Sequence, residues 1–169
     1  MDHSGNWNRT ENATSDTWSS ESTPVVLSDG TVRLFFRDGH STLRYTDYQW
    51  DGTQYILSNR MAVDTGIPKT SHNQLSAILY SKKYCGDDLI LLSTAAGEGR
   101  MRTNGTIYTL RVSTDGSVNL LNTHRVTNGH FAYSCIAELQ DGDIALLYEC
   151  ADAVIRFETI RSNLLIPAL

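Results

Sequence analysis

Apolar and polar residues alternate along this chain in short bursts, not in helical turns. "TPVVLS", "TVRLFFR", "TLRYTDY" and "QYILSNRMAV" follow one another between residues 23 and 63. A second set, "QLSAILYS", "DLILLST", "GTIYTLRVS" and "VNLLNTHRV", covers residues 74 to 126. A third, "YSCIAELQ", "DIALLYEC" and "AVIRFETI", ends at residue 160 with three members instead of four. Runs of this length, rich in β-branched and aromatic residues and bounded by turn formers, predict strands. Asp29-Gly30, Asp51-Gly52, Asp115-Gly116 and Asp141-Gly142 fall between runs, where a hairpin needs residues that tolerate positive φ. No stretch of more than ten residues carries a helical period. The expected fold class is all-β. Residues 1–18, rich in Ser, Thr and Asn, read as an irregular lead-in, and residues 19–169 as the strand-forming region.

The three sets also repeat. "ESTPVVLSDGTVRLFFR" and "YSCIAELQDGDIALLYE" share one grammar: polar start, apolar run, Asp-Gly, apolar run, charged end. "AILYSKKYCGDDLILLS" is a weaker copy between them, and the turn glycines Gly30, Gly86 and Gly142 are evenly spaced, 56 residues apart. A period of that size predicts propeller blades: three, of which the last lacks its outer strand. Nine residues before the turn glycines stand Glu21, Ala77 and Tyr133; seven after them stand Arg37, Ser93 and Glu149. Equivalent strand ends of a propeller gather near its axis. Glu21 and Tyr133, far apart in sequence, are therefore expected to meet.

Bulk composition narrows the partners. The chain has 169 residues, 40% hydrophobic and 20% charged, which describes a globular domain. A net charge of −5 without any Lys/Arg run argues against nucleic acid. No apolar run approaches membrane-spanning length, and the N-terminus has no apolar signal core. The five histidines and three cysteines form no metal-ligand set, and no phosphate-cradling glycine loop occurs, so no metal or cofactor is expected. Cys85, Cys135 and Cys150 read as buried free thiols, with one disulfide as the alternative. Asn8, Asn12 and Asn104 begin glycosylation-type triplets.

Tyr133 with Glu21 is the sharpest chemical pair. On pattern alone Tyr133 reads first as a strand aromatic and Glu21 as a solvated strand end. The chemical alternative is a phenol activated by a carboxylate, because an unassisted phenol, with a pKa of about 10, is a weak nucleophile. Arg37 closes an otherwise apolar strand, and Arg102 stands at the mouth of "TNGTIYTL"; guanidinium groups form forked bonds with carboxylates. Arg100 competes with Arg102 for that task. Each is otherwise a surface arginine. Glu149 faces the same basic cluster, or is a rim carboxylate. His72 precedes an inner strand and is either cleft-lining or structural; Asp38 and His40 are weaker candidates still.

Four segments resemble the C-terminal half of bacterial-type sialidases, a six-bladed propeller family. "ESTPVVLSDGTVRLFFR" is similar to the segment with the activating glutamate and second triad arginine. "RTNGTI" is similar to the segment with the third arginine, which favours Arg102 over Arg100. "YSCIAELQDGDIALLYE" resembles the segment of the nucleophilic tyrosine, and its Glu149 matches the carboxylate that steadies the first triad arginine. "VSTDGS" resembles a degenerate Asp box. The resemblance, from about residue 18 to about 161, implies an exo-α-sialidase in which Tyr133 attacks, Glu21 takes its proton, and Arg37 and Arg102 clamp the substrate carboxylate.

The choice of tyrosine has a physical reason. Sialic acid carries a carboxylate on its anomeric carbon, so a carboxylate nucleophile would meet a like charge. At about 4 Å and an effective dielectric near 20 the repulsion is about 4 kcal/mol. Sialidases with a tyrosine nucleophile are accordingly an exception among glycosidases. The family's first triad arginine and its Asp acid/base have no matching motif here. The expectation is thus a part of the domain, inactive alone, whose partners are a sialylated glycan and the N-terminal half. By resemblance the setting is bacterial, secreted or on the cell surface. The alternative function is a non-catalytic sugar-binding module or an inactive sialidase remnant.

Overall fold

A computed structural model describes residues 19–58, 62–151 and 154–168. Twelve strands among them form three antiparallel sheets in chain order. The first contains β1 (Ser19–Val26), β2 (Val32–Asp38), β3 (Thr42–Trp50), β4 (Tyr55–Leu57) and β5 (Val63–Pro68). The second is a meander of β6 (Ser76–Leu79), β7 (Asp88–Ala95), β8 (Thr103–Val112) and β9 (Val118–His130). The third is β10 (Ser134–Glu138), β11 (Ile144–Glu149) and β12 (Ile155–Ile160), followed by a single 3-10 turn at Ser162–Leu164. The all-β expectation holds. One detail is corrected: the run read as a fourth strand of the first sheet is two strands, β4 and β5, both paired with β3. The predicted lead-in, the Asn8 and Asn12 triplets and Asn59–Met61 within that run lie outside the described residues.

The Asp-Gly turns explain the even spacing. In the β1–β2 connection Leu27 N–H donates to Thr31 O (2.8 Å), Gly30 N–H to Leu27 O (2.9 Å) and Thr31 N–H to Asp29 Oδ1 (2.9 Å), with Gly30 at φ +86°. The β10–β11 turn repeats every bond, through Leu139, Asp141, Gly142 and Asp143. A type I turn closed by a left-handed glycine makes such a loop, and the Asp side chain stabilises it locally. The middle copy differs: Tyr84 and Asp87 exchange both backbone bonds around Cys85 and Gly86, each at positive φ. That is a tighter two-residue turn, which is why the middle copy matches poorly in sequence.

The sheets stack face to face, and β7 shows how. Its Ile90 and Leu92 pack with Val25, Phe35, Leu43 and Tyr45 of the first sheet. Its Leu89, Leu91 and Ala95 pack with Ile136, Ile144, Leu146 and Tyr148 of the third. Strand side chains alternate between faces, so a strand lying between two sheets must be apolar throughout. The seams are also stitched by hydrogen bonds from side chains to strand edges: Ala77 N–H donates to Thr23 Oγ1 (3.2 Å), and Ile136 N–H to Ser76 Oγ (3.3 Å). Such stacking brings the starts of β1, β6 and β10 side by side. Cys85 and Cys135 are exposed and Cys150 half-buried, all three free. The reading of buried thiols is therefore corrected: Cys135 sits on the outward face of β10, and Cys85 in the two-residue turn.

Candidate active site

Glu21 owes its position to a defect in pairing. Ser20 pairs with Arg37 and Ser22 with Phe36, so Glu21 is an extra residue bulged out of the ladder, at φ +33°. Bulges re-aim a side chain, and a non-glycine residue held at positive φ is strained. Here the bulge turns the carboxylate across the seam. Tyr133 Oη donates to Glu21 Oε1 at 2.7 Å, and Arg37 Nη1 donates to Glu21 Oε2 at 2.7 Å. Arg37 Nη1 also stands 3.5 Å from Tyr133 Oη. Glu21 of β1, Arg37 of β2 and Tyr133 just before β10 thus bring the first and third sheets into one hydrogen-bonded cluster on an open surface, with Tyr133 40% exposed.

Charge around Glu21 favours its ionised form. Partial desolvation pulls its pKa upward, but the hydrogen bonds from Arg37 and Tyr133 and the charges of Arg37 and Arg102 outweigh this. The net result lies below the ordinary glutamate value. Arg37 is correspondingly raised, first by its bond to Glu21. Its Nε is buried without a partner. Glu21 is therefore a carboxylate at neutral pH, able to accept the phenol proton.

Arg102 joins the cluster from the residue just before β8, its guanidinium carbon 5.5 Å from the centre of the Tyr133 ring. Arg100, in the preceding loop, is exposed and has no such contact. The Tyr133 side of the site depends on Gly105. A Cβ there would stand 2.1 Å from Phe131 Cδ2, and the Phe131 ring stacks on Tyr148 with centroids 4.7 Å apart. Glu149 meets the site through its backbone, its N–H donating to Tyr133 O (2.9 Å) and its O accepting from Ala132 N–H (3.3 Å). Its carboxylate has no ion-pair partner among the described residues.

Asp38 lies behind the site, not in it. It is fully buried, 3.0 Å from Lys69 Nζ and 3.7 Å from Arg44 Nη1. His72 packs against Gly39 and Ser71, with its N–H on Asp38 O, and His40 is exposed. Sequence reasoning passed over Asn73 and Gln74, whose side chains reach Ala132 and Ser134 on either side of Tyr133. Polar residues before a strand give no signal of that. A cavity of about 590 Å³ opens at the opposite ends of β1 and β2, lined by Asp29, Arg33, Asp47 and Asp115 among others, and includes none of the five candidates. Among the described residues no cluster of three or more His, Cys, Asp or Glu residues is placed to hold a metal, and no helix is long and apolar enough to cross a membrane.

No protein-family profile matches the chain. An anhydrosialidase of Macrobdella decora is 34% identical over 170 residues, covering 93% of this chain and 22% of that protein. The NanB sialidase of Streptococcus pneumoniae superposes with a TM-score of 0.82 at 25% identity, covering 97% of this chain and 27% of that one. The chain belongs to the sialidase family. The leech intramolecular trans-sialidase, solved with 2,7-anhydro-Neu5Ac, gives a TM-score of 0.77 at 29% identity, over 97% of this chain and 27% of its own. The chain thus spans about a quarter of the length of the sialidases it matches.

Proposed function

We propose that this chain carries the nucleophile side of a sialidase catalytic site. The carrying observation is the 2.7 Å bond from Tyr133 Oη to Glu21 Oε1, with Arg37 on the other carboxylate oxygen. In this reading the substrate is a sialylated glycan. Tyr133 Oη forms a bond to the anomeric carbon as the glycosidic C–O bond breaks, and the phenol proton passes to Glu21. Configuration is retained, because a second displacement then frees the sugar from the tyrosine. Arg37 and Arg102, beside the phenol, receive the substrate carboxylate in forked, charge-assisted bonds. Glu149, with its carboxylate unpaired, steadies a further arginine.

The leaving oxygen still needs a proton. The family's Asp acid has no matching motif in this chain, so in this reading the acid comes from the rest of a sialidase domain. General acid catalysis contributes typically 10²–10⁴-fold. The isolated chain therefore turns over a fluorogenic sialoside little or not at all. Joined to the remaining sialidase sequence, in cis or as a separate chain, it gains turnover that Tyr133→Phe abolishes. Robust turnover by the isolated chain would refute the missing acid, and an active Phe variant would refute the nucleophile. Two of the similar solved structures are named as intramolecular trans-sialidases, and one relative as an anhydrosialidase. Chromatography of the product from the joined protein distinguishes free sialic acid from its 2,7-anhydro form.

A further inference from the structure

We infer that Gln74 is a positioning residue for Tyr133, its side-chain amide acting as one more strand along the inner edge of β10. This rests on the proposed role of the Tyr133–Glu21 pair. The edge of β10 that does not face β11 has no partner strand among the described residues. Gln74 supplies one peptide's worth of pairing there: Ser134 N–H donates to Gln74 Oε1 (2.9 Å) and Gln74 Nε2 donates to Ser134 O (3.2 Å). The Ser134 N–H can only donate, which fixes the orientation of the amide. Nε2 spends its other hydrogen on Leu75 O at 2.8 Å, so the amide is held at both ends.

The neighbours complete a cradle. Asn73, 1% exposed, donates from Nδ2 to Ala132 O (3.4 Å) and Gln74 O (2.8 Å). Ser134 Oγ lies 2.9 Å from Ser93 Oγ, and Glu149 N–H holds Tyr133 O at 2.9 Å. Residues 132, 133 and 134 are tied between them to the 73–74 segment, β7 and β11, yet Tyr133 itself is 40% exposed and its side chain makes its one short hydrogen bond to Glu21. A phenol reaching out on a flexible Cα–Cβ bond keeps a 2.7 Å contact only if its backbone is fixed. Shifting a reacting group by about 1 Å costs up to about 10²-fold in rate, which makes fixation of that backbone functional as well as structural.

The experiment follows the Tyr133 phenol in the 169-residue chain labelled with [13Cζ]tyrosine. Tyr133→Phe identifies its resonance among the eight tyrosines. Glu21→Ala removes the acceptor and gives the shift of an unbonded Tyr133. In Gln74→Met, similar in length but without the amide, the Tyr133 line should move most of the way to that position or broaden, while the lines of Tyr80, Tyr108 and Tyr148 stay in place. Gln74→Glu keeps the acceptor for Ser134 N–H and should fall between wild type and Gln74→Met; it carries the test if the Met variant does not fold. A Tyr133 line unmoved by either Gln74 variant, but moved by Glu21→Ala, overturns the positioning role. A line unmoved by Glu21→Ala sinks the Tyr133–Glu21 pair itself, and with it the reading on which this one rests.

Discussion

At the scale of residues, the site is a competition for one carboxylate. Glu21 accepts from Tyr133 and Arg37 at once, and each bond favours the anion. Desolvation opposes them and loses, so the Glu21 pKa lies below the ordinary glutamate value. The consequence for pH follows from the sign. A carboxyl depressed by folding contributes stability that is complete above its ordinary pKa and is lost as pH falls through the depressed one. Carbon-13 titration of Glu21 in the isolated chain should therefore show a midpoint below that of an unperturbed glutamate. Arg37→Ala deletes the strongest favourable bond and a charge, and should move the midpoint upward. A wild-type midpoint above the ordinary value would contradict the bonds from Arg37 and Tyr133 that hold the carboxylate ionised. Arg37 itself has a second task, since the same guanidinium is to meet the substrate carboxylate. Weak sialic-acid binding should thus fall in Arg37→Ala and in Arg102→Ala, by the 1.5–3 kcal/mol typical of about one charged hydrogen bond; affinity unchanged in both would end the clamp.

At the scale of elements, each strand end is aimed by a departure from regular pairing. Glu21 is a bulge in β1, and the start of β8 shifts register around Asn104 at φ +60°. Gly105 has no room for a side chain, because the Phe131 ring fills the place its Cβ would take. Gly105→Ala should destabilise the chain by about 1–3 kcal/mol, as overpacking does, and lower the thermal midpoint; a melting curve unchanged by the substitution would contradict the packing described. Behind β2, Lys69 and Asp38 are buried together, and Lys69→Met leaves the Asp38 carboxylate with the His40 N–H, 3.1 Å away, and Arg44 at 3.7 Å as its remaining cation. Breaking one partner of a buried pair costs about 3–5 kcal/mol, so this variant should unfold at markedly lower denaturant. The sequence made the frame legible, because Asp-Gly turns and period-2 apolar runs are local signals. It also made the meeting of Glu21 and Tyr133 legible, because their equal offsets from turn glycines report equivalent strand ends. The bulge that aims Glu21, the split of β4 from β5 and the Gln74 amide were hidden. Each depends on which backbone groups a neighbouring element leaves unpaired, and no residue type announces that.

At the scale of the whole molecule, the middle sheet is covered on both faces and the outer two on one. Leu147, Val154, Ile155 and Phe157 are all exposed on or beside the third sheet. The register sets Leu147 opposite Phe157 on one face. The first sheet exposes Trp50, Tyr55 and Ile56 near its outer strands. β7 shows what covering does to such a strand, since its side chains are buried toward both neighbours. The sialidases that this chain matches are about four times its length, and further propeller sheets would cover these faces as the first and third cover β7. Covering them should also stiffen the site. Glu21 and Tyr133 belong to the two outer sheets, and their 2.7 Å contact spans the middle one. Addition of the remaining sialidase sequence as a separate chain should therefore do two things together: raise the thermal midpoint of these 169 residues and create turnover of a fluorogenic sialoside. A point variant such as Phe157→Asp, at a residue with no bond to the cluster, should weaken both effects in parallel by placing a charge in the face to be covered. Turnover that appears with no rise in thermal midpoint, or that is indifferent to Phe157→Asp, would show that the added sequence supplies its chemistry without covering the third sheet.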